Sequence, residues 1–202
     1  MQTISHVYDS YGQASAVVKD LESAGIPSTD ISMIANKYVS QRYADVNDAS
    51  ATSAGAGIGA GIGGAAGLLA GLGLMAIPGL GPVVAAGWLA STAVGAVAGG
   101  AAGAGVGGIV DAIKDSGVPE EHAHVYAETI RRGGTMVTAR VADSQIAAAN
   151  AIFARHEPID YGARATEYRK GGWTRFDPKA DPYRPNQTEI DRIRSRGYLD
   201  AA

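Results

Sequence analysis

Residues 49–110 form one run without a single Asp, Glu, Lys, Arg or His, bounded by Asp48 and Asp111. Uncharged runs of this length are rare in soluble domains, because a folded surface needs polar side chains at intervals. Nearly all of the charge behind the formal net value of −3 therefore lies in the two flanks. We divide the chain into an uncharged centre and two polar ends.

The centre of the run is divided by Pro-Gly-Leu-Gly-Pro at 78–82, which cannot continue a helix and predicts a tight turn. The arms on either side cover 53–77 and 83–110. At about 1.5 Å per residue, a helix over either arm exceeds the roughly 30 Å hydrocarbon thickness of a bilayer. The pattern predicts an antiparallel helical hairpin over 49–112.

Small residues recur every four positions along both arms, which leaves a nearly straight row without side chains on each helix face. Such a row lets another backbone approach closely, as in the small-xxx-small contacts between transmembrane helices. We therefore predict a glycine zipper within the hairpin and between copies of the chain, and a homo-oligomer. The helix-packing residues are Gly55, Gly59, Gly63, Gly67, Gly71, Gly87, Ser91, Gly95, Gly99, Gly103 and Gly107.

The lipid bilayer is the predicted partner of the hairpin, since in lipid every backbone amide must be satisfied within its own segment. Basic residues lie on both flanks and none lies in the turn, which places both termini in the cytoplasm of a bacterial inner-membrane protein. Alanine and glycine outnumber leucine, isoleucine and valine, however, so insertion as a lone monomer is marginal. The alternative is a cytoplasmic soluble oligomer with the hairpin as its buried hub.

The polar flanks show the periodicity of a small α+β domain. Apolar spacing predicts helices over 11–24, from 119 to 132 and over 143–156, and strands over 3–9, 31–35, 135–141 and 159–165. The two halves, 1–48 and 113–167, each read as β-α-β, with Asp9 or Ser10 and Asp143 or Ser144 as N-caps. This repeat predicts a ferredoxin-like sandwich, a four-stranded antiparallel sheet with helices on one face, interrupted by the hairpin.

The flanks also resemble a known family. Val7-Tyr8-Asp9, Ala14, Ala16-Val17, Leu21, Gly25 and Asp30-Ile31-Ser32 resemble the general stress protein 17M-like (heat-induced stress protein) domain. Tyr126, Ile130-Arg131-Arg132-Gly133-Gly134 and Val137 resemble the second half of bacterial proteins in which such a domain brackets a glycine-rich segment. The resemblance covers about residues 3–166 and implies a stress-associated bacterial protein. It implies no active-site residues.

The sequence offers little for chemistry. Without cysteine, thiolate metal sites and thiol nucleophiles are excluded, and the acidic balance disfavours nucleic acid. The G-x-G-x-x-G at 59–64 lacks the preceding strand that a dinucleotide site needs. His122 and His124 lie two apart, so on a helix they diverge and cannot chelate one ion. We predict no catalytic residues, no metal, no cofactor and no small-molecule substrate.

The C-terminal tail, 168–202, is predicted to be extended with a short helix over 188–194, because its first part is rich in proline. Trp173, Phe176 and Tyr183 are predicted to dock it against a neighbouring subunit, since aromatic residues are common interface anchors. The alternative is a disordered tail.

Three functions fit these features. The first is a non-enzymatic, self-associating membrane scaffold in the stress response. The second is a membrane pore, which the absence of intramembrane ionisable residues weakens. The third is a soluble self-assembling structural protein.

Overall fold

The polar flanks fold around a five-stranded antiparallel sheet with strand order β1-β5-β2-β4-β3. The computed structural model describes residues 1–36, 73–77, 80–88 and 108–180. The strands are β1 (Gln2–Tyr8), β2 (Ile31–Asn36), β3 (Gly73–Ile77), β4 (Gly81–Ala86) and β5 (Thr135–Val141). The helices are α1 (Tyr11–Ser23), α2 (Gly108–Asp115), α3 (Glu120–Arg131), α4 (Ile146–Arg155) and α5 (Tyr161–Lys170).

Local signals account for α1. The Ser10 hydroxyl accepts a hydrogen bond from the Gln13 amide, and the Gln13 side chain accepts one from the Ser10 amide, which is a complete capping box. The predicted inward stripe is buried: Ala14, Val17, Val18 and Leu21. The same agreement holds for α3, whose predicted face of Ala123, Tyr126, Ala127 and Ile130 is buried. These two helices are confirmed, as are β1, β2 and β5.

The sheet is covered on both faces, which corrects the prediction of helices on one face. Helices α1 and α4 pack on one side, against residues such as Ile31 and Val137. Helices α2 and α3 pack on the other side, against Ile34 and Met136 among others. The uncharged run contributes to this second helical layer, because its last residues, 108–110, form the start of α2.

The prediction of helices over 53–77 and 83–110 is wrong at residues 73–77 and 83–86, which are strands, whereas the described residues 108–110 are helical. Residues 73–77 and 81–86 are the strands β3 and β4, paired from Gly73↔Ala85 to Ile77↔Gly81. The chain does reverse between 77 and 81, as the Pro-Gly sequence predicted. Strand β4 pairs with β2 and buries Val83 and Ala85 under α3, so a non-local partner decides the structure of a short apolar run that periodicity cannot assign.

The predicted last strand over 159–165 is also wrong, since α5 begins at Tyr161. The Asp160 carboxylate caps this helix, accepting a hydrogen bond from the Ala163 amide at 2.7 Å. The predicted ferredoxin-like sandwich needs a fourth strand here, and residues 159–165 do not form it. Ile159, just before the cap, donates its amide to the Val7 carbonyl of β1 at 2.8 Å, a single rung where that strand was expected.

Smaller differences concern the helix ends. Neither Asp143 nor Ser144 caps α4, which follows a 3₁₀ turn at Asp143–Gln145 and begins at Ile146. Helix α2 crosses the predicted domain boundary at 112, and α5 crosses the one at 167. Within the described part of the chain, no helix has both the length and the apolar composition that a bilayer crossing needs.

Candidate functional site

The free edge of the sheet at β1 is the first candidate. Within residues 1–36, 73–77, 80–88 and 108–180, strand β1 pairs with β5 on one side, and no strand pairs with its other side. Because the Val7 carbonyl points away from β5 to meet Ile159, the alternation of an antiparallel ladder directs the backbone groups of Thr3 and Ser5 outward as well. Among the described residues, Ile159 alone makes a backbone hydrogen bond to this outer side.

A groove of about 530 Å³ runs along this edge. Its floor is the stretch from Gln2 to His6, and its two walls come from the opposite faces of the sheet. The α2–α3 turn and the start of α3 form one wall, with the Ser5 and Ser116 hydroxyls 3.3 Å apart. Asn150 of α4 and residues 158–161 form the other. The groove therefore exposes an extended backbone between two walls of mixed polar and apolar residues.

The ionisable groups around the groove are few. The His122 ring stacks on Tyr161, with 3.4 Å between ring centroids, and the Asp160 carboxylate is occupied at the α5 cap. The His6 ring lies on the sheet face that α1 and α4 cover, with its centroid 5.1 Å from that of Phe153. Burial lowers the pKa of His6. No Lys or Arg lines the groove. Its electrostatics favour an uncharged partner.

A second feature is the strap, residues 171–180, which follows α5. Phe176 is buried in the apolar cluster of α2 and α3, and Trp173 packs edge-on against Tyr168 at 5.7 Å. Both aromatics therefore pack against their own chain, while the docking of the tail on a neighbouring subunit stays a prediction. Tyr183 lies outside the described residues.

His124 lies beside the strap in a groove with Lys114, Glu120 and Arg175. Its Nε2 atom is 3.9 Å from the Glu120 carboxylate. Burial, Arg175 and Lys114 lower the pKa of His124 against the opposing influence of Glu120 and Asp111. The ring therefore stays neutral at physiological pH, which suits a packed position beneath the strap.

The end of α3 holds a buried carboxylate. The Glu128 side chain is 1 % exposed and pairs with Arg131 at 2.9 Å and with Arg132 at 2.7 Å. The Arg132 guanidinium also lies over the Tyr168 ring, 4.5 Å from its centroid. The two arginines that the family resemblance singled out thus neutralise a buried carboxylate, and Arg132 also links α3 to α5.

Of the predicted helix-packing residues, the structure describes Gly87 alone. Gly87 follows β4 with a φ of 85°, so it lies outside any helix, and its close contact is with the backbone of β2. The other zipper positions lie outside the described residues, as does the predicted helix over 188–194. His122 and His124 do diverge, into different grooves, and the described residues contain no group of three potential metal ligands.

The sequence analysis did not identify the β1 edge, because it predicted a strand over 159–165 that would have paired with β1. The Asp160 cap was the available signal: an N-cap residue before Tyr-Gly-Ala-Arg-Ala predicts a helix start as readily as a strand. Comparisons with known proteins add no assignment, since no family model, curated protein or solved structure matches this chain.

Proposed function

We propose that this protein is a non-enzymatic structural protein that associates with copies of itself through the uncharged segments of 49–110. The carrying observation is the position of residues 73–77 and 81–86, where the middle of the uncharged run forms β3 and β4 of the sheet. The uncharged run is thereby anchored to the folded domain at its centre, and its last residues, 108–110, belong to α2. The regular spacing of glycine in 55–71 and 91–107 then supports contact between copies.

The same anchoring favours a packing hub over a bilayer-spanning hairpin. The stretch 49–72 lies between β2 and β3 in the chain, and the stretch 89–107 lies between β4 and α2, so a stretch that crosses a bilayer and returns to the same domain requires two spans. Two helical spans need about 40 apolar residues, since each needs about 20. Neither stretch is that long. The non-enzymatic part of the proposal is supported by the sequence, in which no catalytic triad, carboxylate pair or phosphate loop stands out.

We infer further that the domain is a ferredoxin-like sandwich whose fourth strand is replaced by α5. The order β1-β5-β2, with α1 and α4 on one face, is the order of the first three strands of that fold. The Ile159–Val7 hydrogen bond supports this inference, because it lies on the side of β1 where a fourth strand belongs. A role in stress rests on the sequence resemblance alone.

The mass of the purified chain in solution tests the self-association. We expect the wild type to elute well above the 20.5 kDa of one chain in size-exclusion chromatography with light scattering. Gly63→Leu combined with Gly99→Leu should reduce that mass, because leucine closes the gap that the small residues leave. Ala65→Leu with Val97→Leu places leucines off the ladders and should leave the mass unchanged.

Two results would contradict the proposal. If the wild-type chain is monomeric at micromolar concentration, the proposed self-association is wrong. If the Gly63→Leu/Gly99→Leu variant keeps the wild-type mass, the glycine residues do not form the contact between copies. Cell fractionation separates the membrane alternative: recovery of the protein only in carbonate-resistant membranes would replace the hub by a bilayer-spanning hairpin.

A further inference from the structure

The edge strand β1 lacks the features with which proteins protect a free edge. Its sequence, Gln-Thr-Ile-Ser-His-Val-Tyr, contains no Lys, Arg, Asp, Glu or Pro. Charged residues and proline are the usual means of preventing edge-to-edge pairing, because an exposed ladder recruits any other extended chain. In the part of the chain that the structure describes, one backbone hydrogen bond reaches this edge, from the Ile159 amide to the Val7 carbonyl.

The outward groups of β1 are complementary to themselves. Thr3 and Ser5 both direct their amide and carbonyl groups away from β5, and they lie one residue on either side of Ile4. If two β1 strands meet antiparallel about a two-fold axis at Ile4, Thr3 of one copy faces Ser5 of the other. Each such pair exchanges two hydrogen bonds, so the two pairs give four.

The side chains fit the same register. Ile4 meets its own counterpart at the axis as a non-hydrogen-bonded pair, the closest kind of cross-strand pair, on the face that α1 and α4 cover. Thr3 and Ser5 meet on the other face, and Thr–Ser pairs are favourable across strands. Gln2 lies opposite His6, and no like charges face each other. The Ile159–Val7 rung lies outside the five paired residues.

We propose that β1 is a dimer interface at which two copies of the chain pair edge to edge about Ile4, joining their sheets into one. This deepens the proposed self-association by naming a second contact, formed by the folded domain instead of the glycine ladders. The occupant is a second copy because every copy presents the same uncharged strand with the same spacing of donors and acceptors. Lacking Lys and Arg, the groove has no permanent cation to select an acidic peptide, and its one carboxylate, Asp160, already accepts a hydrogen bond at the α5 cap.

A single engineered cysteine tests the register, since the chain contains none of its own. In the proposed pairing, the two Ile4 Cα atoms are about 4.5 Å apart, within the range for a disulfide. We expect Ile4→Cys to form a covalent dimer under mild oxidation, seen on a non-reducing gel. Gln2→Cys is the matched control: its two copies lie four residues apart along the ladder, about 13 Å, and should stay monomeric on the gel.

Ser5→Pro tests the hydrogen bonds. Proline removes the outward amide of Ser5 and is tolerated on an edge strand where that amide faces away from the sheet. We expect it to abolish cross-linking when combined with Ile4→Cys. Alone, it should raise the dimer dissociation constant by roughly tenfold or more, because two intermolecular hydrogen bonds are lost per dimer. Circular dichroism shows whether each variant is folded. If Ile4→Cys or Ser5→Pro fails to fold, Thr3→Lys replaces it, and analytical ultracentrifugation should show a raised dimer dissociation constant.

The outcomes separate this inference from the proposed function. Equal cross-linking of Ile4→Cys and Gln2→Cys, or an unchanged dissociation constant in folded Ser5→Pro or Thr3→Lys, overturns the β1 interface while leaving the ladders as the contact. If the ladder variant Gly63→Leu/Gly99→Leu keeps the full mass while Ser5→Pro loses it, the β1 interface stands and the glycine hub fails. A chain that is monomeric and does not cross-link through Cys at position 4 defeats both.

Discussion

Gly87 provides the sharpest test of the finding that the middle of the uncharged run lies in the sheet. The residue follows β4 with a φ of 85°, a conformation that residues with a side chain rarely adopt. A Cβ atom at this position would collide with the carbonyl oxygen of Ile31 and would lie 2.7 Å from the Ser32 Cα and 2.5 Å from its hydroxyl. Two of these three atoms belong to the backbone of β2, which cannot move aside without disturbing the sheet.

The free energy of unfolding should therefore fall in Gly87→Ala. An L-residue in the left-handed region costs about 1–2 kcal/mol, and forcing extra atoms into a packed site costs about 1–3 kcal/mol. Together these give a loss of about 2–5 kcal/mol. A helix over the same residues predicts the opposite sign, because alanine is about 0.8–1 kcal/mol better than glycine inside a helix.

Urea denaturation followed by circular dichroism measures this difference. Gly117→Ala is the matched control, since Gly117 has a φ of 92° but has no atom within 4 Å of the added methyl group. We expect the control to lose only the conformational part, about 1–2 kcal/mol. A Gly87→Ala protein as stable as the wild type would refute the placement of 73–88 in the sheet. Equal losses in the two variants would refute the close approach of Gly87 to β2.

Two further predictions concern ionisable groups in the core. Burial lowers the pKa of His6, and burial with nearby Arg175 and Lys114 lowers that of His124. Between the folded-state and unfolded-state pKa values, the unfolded chain binds protons that the folded chain does not. The free energy of unfolding should therefore fall as the pH drops below about 6.5, and it should level off below the folded-state pKa values of the two histidines. Replacing both histidines by asparagine should flatten the melting temperature against pH over this range. For the Glu128 cluster, Arg131→Ala with Arg132→Ala strands a buried carboxylate and should cost about 3–5 kcal/mol in thermal melts, whereas Glu121→Ala on the same helix should cost under about 0.5 kcal/mol. Similar losses of stability in the double arginine variant and in Glu121→Ala would contradict the pairing of Glu128 with the two arginines.

The sequence predicted the parts of the fold that local signals specify. Helix α1 has its capping box at Ser10, and the apolar residues of α3 recur at intervals of three and four, so the spacing of residues predicted both helices. The strand β5 follows the Gly133-Gly134 break and is rich in β-branched residues. In each case the local preference and the final packing agree.

The strands β3 and β4 were not readable because nothing local distinguishes them. Gly-Leu-Met-Ala-Ile at 73–77 suits a buried helix or a buried strand equally well, and no charged residue marks a boundary. What decides is the pairing of β4 with β2, a contact between residues that are about fifty positions apart. The sequence marked the aromatic residues of the strap, but the surfaces they contact depend on the assembled domain: Phe176 packs on α2 and α3, and Trp173 packs on α3 and α5.

The mistaken strand over 159–165 explains why the β1 edge escaped prediction. A fourth strand there would have paired Thr3 and Ser5 and left β1 inside the sheet. The Asp160 cap instead turns the chain into α5 after one hydrogen bond, to the Val7 carbonyl. An internal strand needs no charged residues for protection, and β1 has the composition of an internal strand. A strand with that composition at an edge is expected to find its missing neighbour elsewhere, and a second copy carries the matching strand.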